Sequence, residues 1–323
     1  MKVIFLGATK FSEEMLGELL RNNISVDAVF SIPQEFELKK RGQEAAEKYK
    51  NSNYADVAGL AQKHGISCYF VSGGEQSLTS YRDIIAKIDP DIILVLGWYF
   101  IVPKSVRSLA KIGTFGIHAS LLPDYAGGSP LVWALINGEQ KTGVTMFKIE
   151  DGIDDGDILS QKEISIDVED TIATLYDKVI KTSKEVLVSE MRKLANGDVS
   201  YKVQDKSKIK PLPIRTEKDG LIDWGKKANE IYNFIRAQTK PYPCAFSFID
   251  KQKVKFVRAK VAEVPDDFKG AQAGTVFRYG GRFFIKTSHE AIDPLEIEVE
   301  GVSLSPFDFF ASKTKKEMIF ENE

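Results

Sequence analysis

The segment VIFLGATKFSEEMLGELL (3–20) decides the fold of the first part of the chain. It opens with a short apolar run, Val3 to Leu6, which ends at Gly7. The residues that follow have helical spacing on their apolar face, namely Phe11, Met15, Leu19 and Leu20. A buried strand, a tight turn and an amphipathic helix form the usual opening of a doubly wound parallel sheet. The start of the chain therefore predicts an α/β domain.

Later segments of the first half extend this pattern. Val26 to Phe30 and Asp91 to Leu96 are predicted strands, and strands that alternate with helices are typical of α/β proteins. Ile32 to Asn53 is charged and has no clear apolar period, so we expect a long loop with some helix there. Thr171 to Leu194 is predicted to be a long amphipathic helix, which ends at Asn196-Gly197.

The last third of the chain has a different character. Val199 to Pro213 is polar and contains two prolines, as expected of a linker, and Ala228 to Ala237 is a predicted helix. Short strand-like runs follow at Ala245–Ile249, Val254–Val257, Gly274–Phe277, Phe283–Lys286 and Leu295–Val299. Such runs indicate a small β-barrel or sandwich. We therefore expect an α/β domain over 1–198, a linker over 199–214 and a β-rich domain over 215–323.

Composition narrows the class of protein. With 28% charged residues and a net charge of −2, the chain offers no overall field for nucleic acid or an anionic membrane. The N-terminal apolar run is too short for a signal peptide, and no stretch is long enough to span a membrane. The two cysteines, Cys68 and Cys244, are isolated, and no metal site is predicted. The expected location is the cytoplasm.

The segment from Gly113 to Gln161 carries the candidate chemistry. His118, one of three histidines, lies between apolar residues just before a Leu-Leu-Pro turn. Asp154 and Asp155 lie in the glycine-bracketed loop GIDDGD, which follows the predicted strand Val144 to Ile149. Between them, residues 126–130 (AGGSP) open a helix and can bring backbone N–H groups close to a ligand.

A histidine paired with a carboxylate is a common acid–base arrangement, because the carboxylate orients the imidazole and stabilises its charge. The residues alone leave alternatives open. A lone histidine is often a hydrogen-bonded structural residue, and the acidic loop on its own also suits a solvated turn or a weak calcium site. The loop lacks the full twelve-residue EF-hand pattern.

The whole segment resembles the signature of the formyltetrahydrofolate-dependent formyltransferases. That family carries Asn-x-His, Ser-Leu-Leu-Pro, a glycine-rich turn before proline, Gly-Glu-x-x-Thr-Gly-Val-Thr, and Asp-x-Gly-Asp. The matching residues here are His118, Ser120 to Pro123, Gly127, Pro130, Gly138-Glu139, Thr142 to Thr145 and Asp154-x-Gly156-Asp157. Segments that resemble the C-terminal domain of methionyl-tRNA and aminoarabinose formyltransferases are Arg215–Trp224, Ile231–Ala237 and Pro241-x-Pro243.

The resemblance implies a Rossmann-like N-terminal domain that binds N10-formyltetrahydrofolate, and a small open β-barrel (OB-like) C-terminal domain. His118 corresponds to the catalytic histidine and Asp154 to its carboxylate partner. The residues expected to line the folate pocket are Phe100, Ile101, Val102, Ile149, Gly152, Ile153 and Asp154. The alternative for residues 98–102 is that they are plain core after a strand. The implied reaction is attack of an amine on the formyl carbon, with the oxyanion held by hydrogen-bond donors.

The chain departs from the family pattern at two positions. Gly116 stands where the family has asparagine, a donor to the formyl oxygen, and loss of one such donor typically costs on the order of 10²–10³ in rate. We expect another donor to take its place; the competing hypotheses are a slow enzyme and a relative that binds without catalysis. Ala126 stands where much of the family has arginine on the substrate side, which leaves the amine open.

Two acceptor classes share this two-domain plan. The tRNA enzymes carry a basic insertion after the second strand, whereas here Lys39, Lys40 and Arg41 are flanked by glutamates, a poor phosphate clamp. The segments SPLVWALINGE (129–139) and IRAQTKPYPCAFSFID (235–250) also look closer to the sugar enzymes. Lys10 stands at a strand-to-helix turn, where a lysine either meets a nucleotide diphosphate or faces solvent.

The sequence therefore predicts a formyltransferase acting on the amine of a nucleotide-linked aminosugar. The alternatives are a methionyl-tRNA formyltransferase and a non-catalytic folate- or nucleotide-binding relative. The residues predicted to bind the acceptor are Lys10, Ser120, Tyr125 and Gly127. Folate and the nucleotide sugar are the expected partners. We expect no membrane partner, and tRNA is a partner only under the first alternative. A homodimer is left open.

Overall fold

The computed structural model describes residues 1–38, 47–51, 53–72, 78–313 and 318–321. The chain divides into two units: the first comprises 1–126, 143–164 and 178–211, and the second comprises 127–142, 165–177 and 212–323. The second unit thus includes two pieces of the region 1–198. The boundaries predicted at 199–214 stay a prediction.

The described residues form strands and helices that alternate through the first two thirds of the chain. The strands there are β1 (Val3–Leu6), β2 (Ala28–Ser31), β3 (Glu35–Leu38), β4 (Glu47–Lys50), β5 (Ser67–Phe70), β6 (Ile92–Val95), β7 (Gly113–His118), β8 (Lys141–Lys148) and β9 (Ile158–Ser165). The α-helices among the described residues are α1 (Lys10–Arg21), α2 (Val57–Lys63), α3 (Arg82–Ile88), α4 (Lys104–Arg107), α5 (Pro130–Ile136), α6 (Ile172–Ala195), α7 (Ala228–Gln238) and α8 (Pro306–Ala311).

The main sheet has the strand order β5-β2-β1-β6-β7-β8-β9. The pairs from β5 to β7 are parallel and β7 pairs with β8 in the antiparallel sense, which confirms the predicted Rossmann-like sheet. The chain leaves β1 toward β2 on one side and returns to β6 on the other. In open α/β sheets such a reversal of strand order opens a crevice at the carboxyl ends of the strands, where ligands bind.

The turn between β1 and α1 is held by a serine of the helix. Thr9 and Ser12 form a capping box, and the Ser12 hydroxyl also donates to the backbone oxygen of Leu96 at 2.6 Å. Ser12 is fully buried, so this single hydroxyl links the loops that follow β1 and β6.

Replacing Ser12 with alanine removes the half of the capping box in which the Ser12 hydroxyl accepts from the Thr9 backbone N–H, and it leaves the Leu96 carbonyl without this donor. We expect Ser12→Ala to lower the free energy of unfolding by about 1–3 kcal/mol. Urea denaturation followed by circular dichroism measures the change, with exposed Ser200→Ala as the control. Equal midpoints for the two variants would contradict the assigned role of Ser12.

The segment after β2 differs from the predicted loop with some helix. Its described residues form an antiparallel pair, β3 with β4, in which Glu35 lies opposite Lys50 and Glu37 opposite Lys48. Alternation of charged and apolar residues in EFEL (35–38) suits a strand with one face packed, and Phe36 contacts the ring of Phe100. Lys39, Lys40 and Arg41 lie outside the described residues.

The second unit contains an antiparallel sheet built from the remaining strands, β10 (Ala245–Ile249), β11 (Gln252–Ala262), β12 (Thr275–Tyr279), β13 (Arg282–Lys286), β14 (Ala291–Val299), β15 (Val302–Leu304) and β16 (Met318–Ile319). The order is β10-β11-β14-β13-β12-β16, with β15 on β14. A bridge between Phe248 and Glu321 joins the first strand to the chain after the last strand, so the sheet curls toward closure.

The core of this curled sheet is aromatic. The Trp224 ring lies 5.5 Å from that of Phe256 and 5.4 Å from that of Phe320, and its Nε1 donates to the hydroxyl of Ser247 at 3.0 Å. The predicted β-rich architecture is confirmed. No helix in the described part of the chain is both long and apolar enough to cross a bilayer.

Candidate active site

His118 is the last residue of β7, and its imidazole is held from both sides. Strand β7 lies between β6 and β8, in a register that places His118 opposite Thr145. The ring Nε2 lies 2.8 Å from the backbone oxygen of Tyr125. Because a carbonyl only accepts hydrogen bonds, Nε2 carries a proton in this arrangement. The ring is 11% exposed, and its Nδ1 faces Asp154.

Asp154 places a carboxylate beside the ring, and its catalytic role stays a prediction. Its Oδ2 lies 3.5 Å from Nδ1 of His118, and its side chain is 22% exposed. This is an ion-pair distance, longer than a good hydrogen bond. A partly buried carboxylate at this distance stabilises positive charge that develops on the ring when it takes up a proton. Both residues belong to the first unit, so one body of the protein holds the pair.

The turn between His118 and Tyr125 is fixed by one of its own side chains and by a side chain of β8. The Ser120 hydroxyl donates to the backbone oxygen of Asp124 at 2.6 Å, and Thr145 donates to the backbone oxygen of Ser120 at 2.6 Å. Ser120 is 1% exposed. The structure therefore gives its hydroxyl a bond within the turn, while the predicted contact of Ser120 with an acceptor stays a prediction.

The loop that carries Asp154 is tightly folded. Asp154 has a φ of 51°, in the left-handed region, and a Cβ at Gly156 would lie 1.8 Å from the backbone oxygen of Lys148. The neighbouring Asp155 accepts a hydrogen bond from the backbone N–H of Gly152 at 3.2 Å. Asp155 also lies 2.8 Å from Nζ of Lys206, and this hydrogen bond raises the pKa of Lys206 above its usual value. The two adjacent aspartates thus have different surroundings.

Gly116, where the family has asparagine, faces an apolar side chain. A Cβ there would lie 2.8 Å from Cδ1 of Ile149 and 3.4 Å from the ring of Phe147. Ile149 therefore occupies the volume into which a larger residue at position 116 would project. Its own backbone N–H donates to Thr114 at 2.8 Å, which keeps this strand end in place.

The residues predicted to line a folate pocket divide by exposure. Phe100 and Val102 are buried in the hydrophobic cluster of the first unit, as the plain-core interpretation expected, whereas Ile101 between them is 65% exposed. In the acidic loop, Ile153 is 58% exposed and Gly152 is exposed. The two segments present Ile101 and Ile153 to solvent, and their contact with folate stays a prediction.

The remaining predicted acceptor residues lie in two different places. Lys10 is exposed at the first position of α1, and its backbone N–H donates to the oxygen of Asn53 at 3.0 Å. Gly127 belongs to the second unit, where it has a φ of 91° and forms a parallel bridge with Leu212. The structure therefore brings His118, Tyr125 and Asp154 together in the first unit, and the roles of Lys10 and Gly127 stay predictions.

Sequence reasoning missed two amide side chains that organise this region. Asn51 is 3% exposed, donates to the backbone oxygen of Ala8 at 3.0 Å and accepts from the hydroxyl of Tyr99 at 2.7 Å. Gln204 is 5% exposed and binds the acidic loop. Their partners are mostly backbone groups, so no sequence pattern predicts the roles of these two side chains. Within the described ranges, no cluster of three or more His, Cys, Asp or Glu side chains is placed to hold a metal ion.

Comparison with known protein families decides the class. Residues 1–191 match the family described as formyl transferase, and residues 215–314 match its C-terminal domain. The chain belongs to the formyl transferase family. It is 31% identical over 301 residues to the methionyl-tRNA formyltransferase of Caldanaerobacter subterraneus subsp. tengcongensis, a match that covers 93% of each chain. It is 34% identical over 262 residues to that of Geotalea uraniireducens, covering 81% of this chain and 80% of the relative.

Solved structures share the fold of this formyltransferase. The N-formyltransferase from Helicobacter canadensis, in complex with folinic acid and dTDP-3-aminofucose, is 20% identical with a TM-score of 0.64, covering 91% of this chain and 98% of that one. The sugar 3N-formyl transferase WlaRD, in the presence of dTDP and 5-N-formyl-THF, is 19% identical with a TM-score of 0.62, covering 94% and 98%. Likeness at this identity establishes the fold and leaves the acceptor open.

Proposed function

We propose that this formyltransferase moves a formyl group from N10-formyltetrahydrofolate to the amine of a nucleotide-linked aminosugar. His118 and Asp154 carry the chemistry. The choice of acceptor rests on the balanced charge of the β3–β4 pair. We also assign the curled sheet of the second unit to the OB-like class, which its closure through Phe248 and Glu321 supports.

The proposed reaction begins with a neutral amine, which attacks the formyl carbon to form a tetrahedral intermediate. The bond from that carbon to N10 of the folate then breaks, and the proton lost by the amine ends on N10. His118 lies where it can relay this proton, and Asp154 at 3.5 Å stabilises the ring while it carries charge. The oxyanion needs a donor, and the missing asparagine at Gly116 makes a second group or a water necessary.

The formyl donor is supported by the relatives and by the site. Formyl donors or related folates appear with the solved relatives of similar fold, and the family itself transfers formyl groups. Ile101 and Ile153 offer exposed apolar side chains, which suit the face of a flat heterocycle.

The acceptor is inferred from the charge of the β3–β4 pair. Its register places the exposed Glu35 opposite the exposed Lys50. Opposite charges directly across an antiparallel pair offset one another. Binding to a nucleic-acid backbone depends on cations placed against phosphates, so a balanced pair contributes little to it. Binding of a small nucleotide sugar does not require a row of cations along a phosphate backbone.

Methionyl-tRNA is the second candidate acceptor, because two relatives at about one-third identity are methionyl-tRNA formyltransferases. We expect incubation with N10-formyltetrahydrofolate and a panel of dTDP-, UDP- and GDP-aminosugars to give formylation of at least one sugar and none of methionyl-tRNA, as measured by mass spectrometry. Formylation of the tRNA alone would refute the sugar assignment. Folate binding without turnover of any amine would support the binding-only hypothesis raised by Gly116.

A further inference from the structure

The chain between Tyr201 and Lys206, which the sequence assigns to a linker, runs beside the acidic loop of the first unit. Lys202 and Ile158 form an antiparallel bridge, with both of its hydrogen bonds made, at 2.9 Å and 2.8 Å. Ile158 is the first residue of β9, directly after the loop. The bridge therefore brings the next residues of the segment alongside residues 152–157.

Gln204 is the residue of this segment that enters the loop. Its side-chain Nε2 donates to the backbone oxygen of Asp154 at 2.8 Å and to that of Gly156 at 2.6 Å. Both acceptors are carbonyls, so the amide nitrogen must face them, and its two N–H groups are both used. The residue is 5% exposed, and the bonds are thereby shielded from competing water.

These two hydrogen bonds stabilise a strained conformation of the loop, which would relax without them. Asp154 has a φ of 51°, which a non-glycine residue adopts only where its surroundings support it. One bond fixes the peptide directly after Asp154, and the other fixes the peptide two residues later. Together they set the direction of the Asp154 side chain, whose Oδ2 lies 3.5 Å from Nδ1 of His118.

We propose that Gln204 is a positioning residue of the active site and acts through Asp154. The inference rests on the proposed function, because it takes Asp154 to be the carboxylate partner of His118. Gln204 reaches no reacting atom in this assignment. Its part is to keep the Asp154 carboxylate at the distance from the histidine that proton transfer requires.

The same loop offers a matched control. Lys206, two residues after Gln204, bonds to Asp155 at 2.8 Å, but its side chain is 62% exposed. Exposed ion pairs contribute little, because water and salt screen them. Lys206→Met removes a side-chain contact to the same loop from the same segment without removing a carbonyl anchor of Asp154.

The test compares Gln204→Met, which keeps the side-chain length but has no donor, with Lys206→Met and the wild type. We expect kcat for formylation to fall about 10–100-fold in Gln204→Met, and no comparable loss in Lys206→Met. Hydrogen exchange of a peptide covering 149–158 should be faster in Gln204→Met, while exchange within α6 is unchanged. Gln204→Glu, which carries one donor at most, replaces the Met variant if that one does not fold.

A double-mutant cycle decides whether Gln204 acts through Asp154. In an Asp154→Asn background, Gln204→Met should reduce kcat by less than threefold further, because the group being positioned has already lost its charge. An undiminished loss in that background, or an unchanged kcat in the single variant, would overturn the inference. If Asp154→Asn alone turns over at the wild-type rate, the proposed function of the pair fails instead, and faster exchange of 149–158 in Gln204→Met still shows that Gln204 anchors the loop.

Discussion

His118→Ala lowers the kcat for formyl transfer by about 10²–10⁴-fold, the range that a general acid–base residue contributes. The ring is the one titratable group that the structure places at the end of β7 with a carboxylate 3.5 Å from one nitrogen and a carbonyl 2.8 Å from the other. Alanine removes the group that we propose to relay the proton. Steady-state kinetics with the acceptor found in the sugar panel measures the loss.

The control for this variant is the exposed His289, which lies in the second unit. His289→Ala should keep the wild-type kcat and melting temperature. His118→Ala should keep the wild-type circular dichroism spectrum, while loss of a ring that is 11% exposed and bonded to Tyr125 lowers its melting temperature by about 2–4 °C. Wild-type turnover by His118→Ala would refute its catalytic role. A similar loss in both variants would show that the effect is not specific to the site.

Substitution of Asp154 distinguishes two ways in which the His118–Asp154 pair can act. If the carboxylate stabilises a charged ring during proton transfer, the loss on Asp154→Asn should appear in kcat and leave substrate binding nearly intact. A geometry of 3.5 Å, longer than a hydrogen bond, favours this electrostatic part over a tight orienting bond, because the Tyr125 carbonyl already orients the ring through Nε2. The orientation and the charge thus come from different groups.

The sequence predicted the elements whose pattern is local. The apolar run Val3–Leu6 and the spacing after it foretold β1 and α1, and the bounds of β10 agree with the predicted run Ala245–Ile249. The prediction of a loop with some helix is wrong for the β3–β4 pair: EFEL alternates in polarity, but the charged residues around it hide this short period. Strand β11 is longer than Val254–Val257 because a register shift near Arg258 lets pairing with β14 continue past the break.

The site could be predicted only where its groups are side chains with a motif. His118 and Asp154 were recognised together by resemblance to a family, since the residues alone left a structural histidine and a solvated turn open. The Tyr125 carbonyl and the amide of Gln204 carry no such mark. Gln204 binds oxygens 50 and 48 residues away along the chain, and a peptide oxygen looks the same at every position of a sequence.

Gly156→Ala should reduce kcat by about 100-fold or more, because the loop that carries Asp154 closes against a backbone oxygen at this glycine. A methyl group there would lie 1.8 Å from the oxygen of Lys148, far inside van der Waals contact, and strand β8 holds that carbonyl in the sheet. Lys148 is paired with Phe115 of β7, whereas the loop lies outside the strands, so we expect the loop to move. Displacement of a catalytic group by 1 Å typically costs about 10²-fold in rate.

The same substitution overpacks the loop, so we expect about 1–3 kcal/mol less free energy of unfolding, measured by urea denaturation beside the kinetics. Gly270→Ala is the matched control, because a Cβ there meets no atom within 4 Å, and it should leave both quantities unchanged. The two readouts distinguish displacement of Asp154 from general loss of structure. A folded Gly156→Ala protein with wild-type kcat would mean that the close turn at 156 does not set the carboxylate, whereas a folded protein with kcat reduced as in Asp154→Asn would locate the defect in the His118–Asp154 pair.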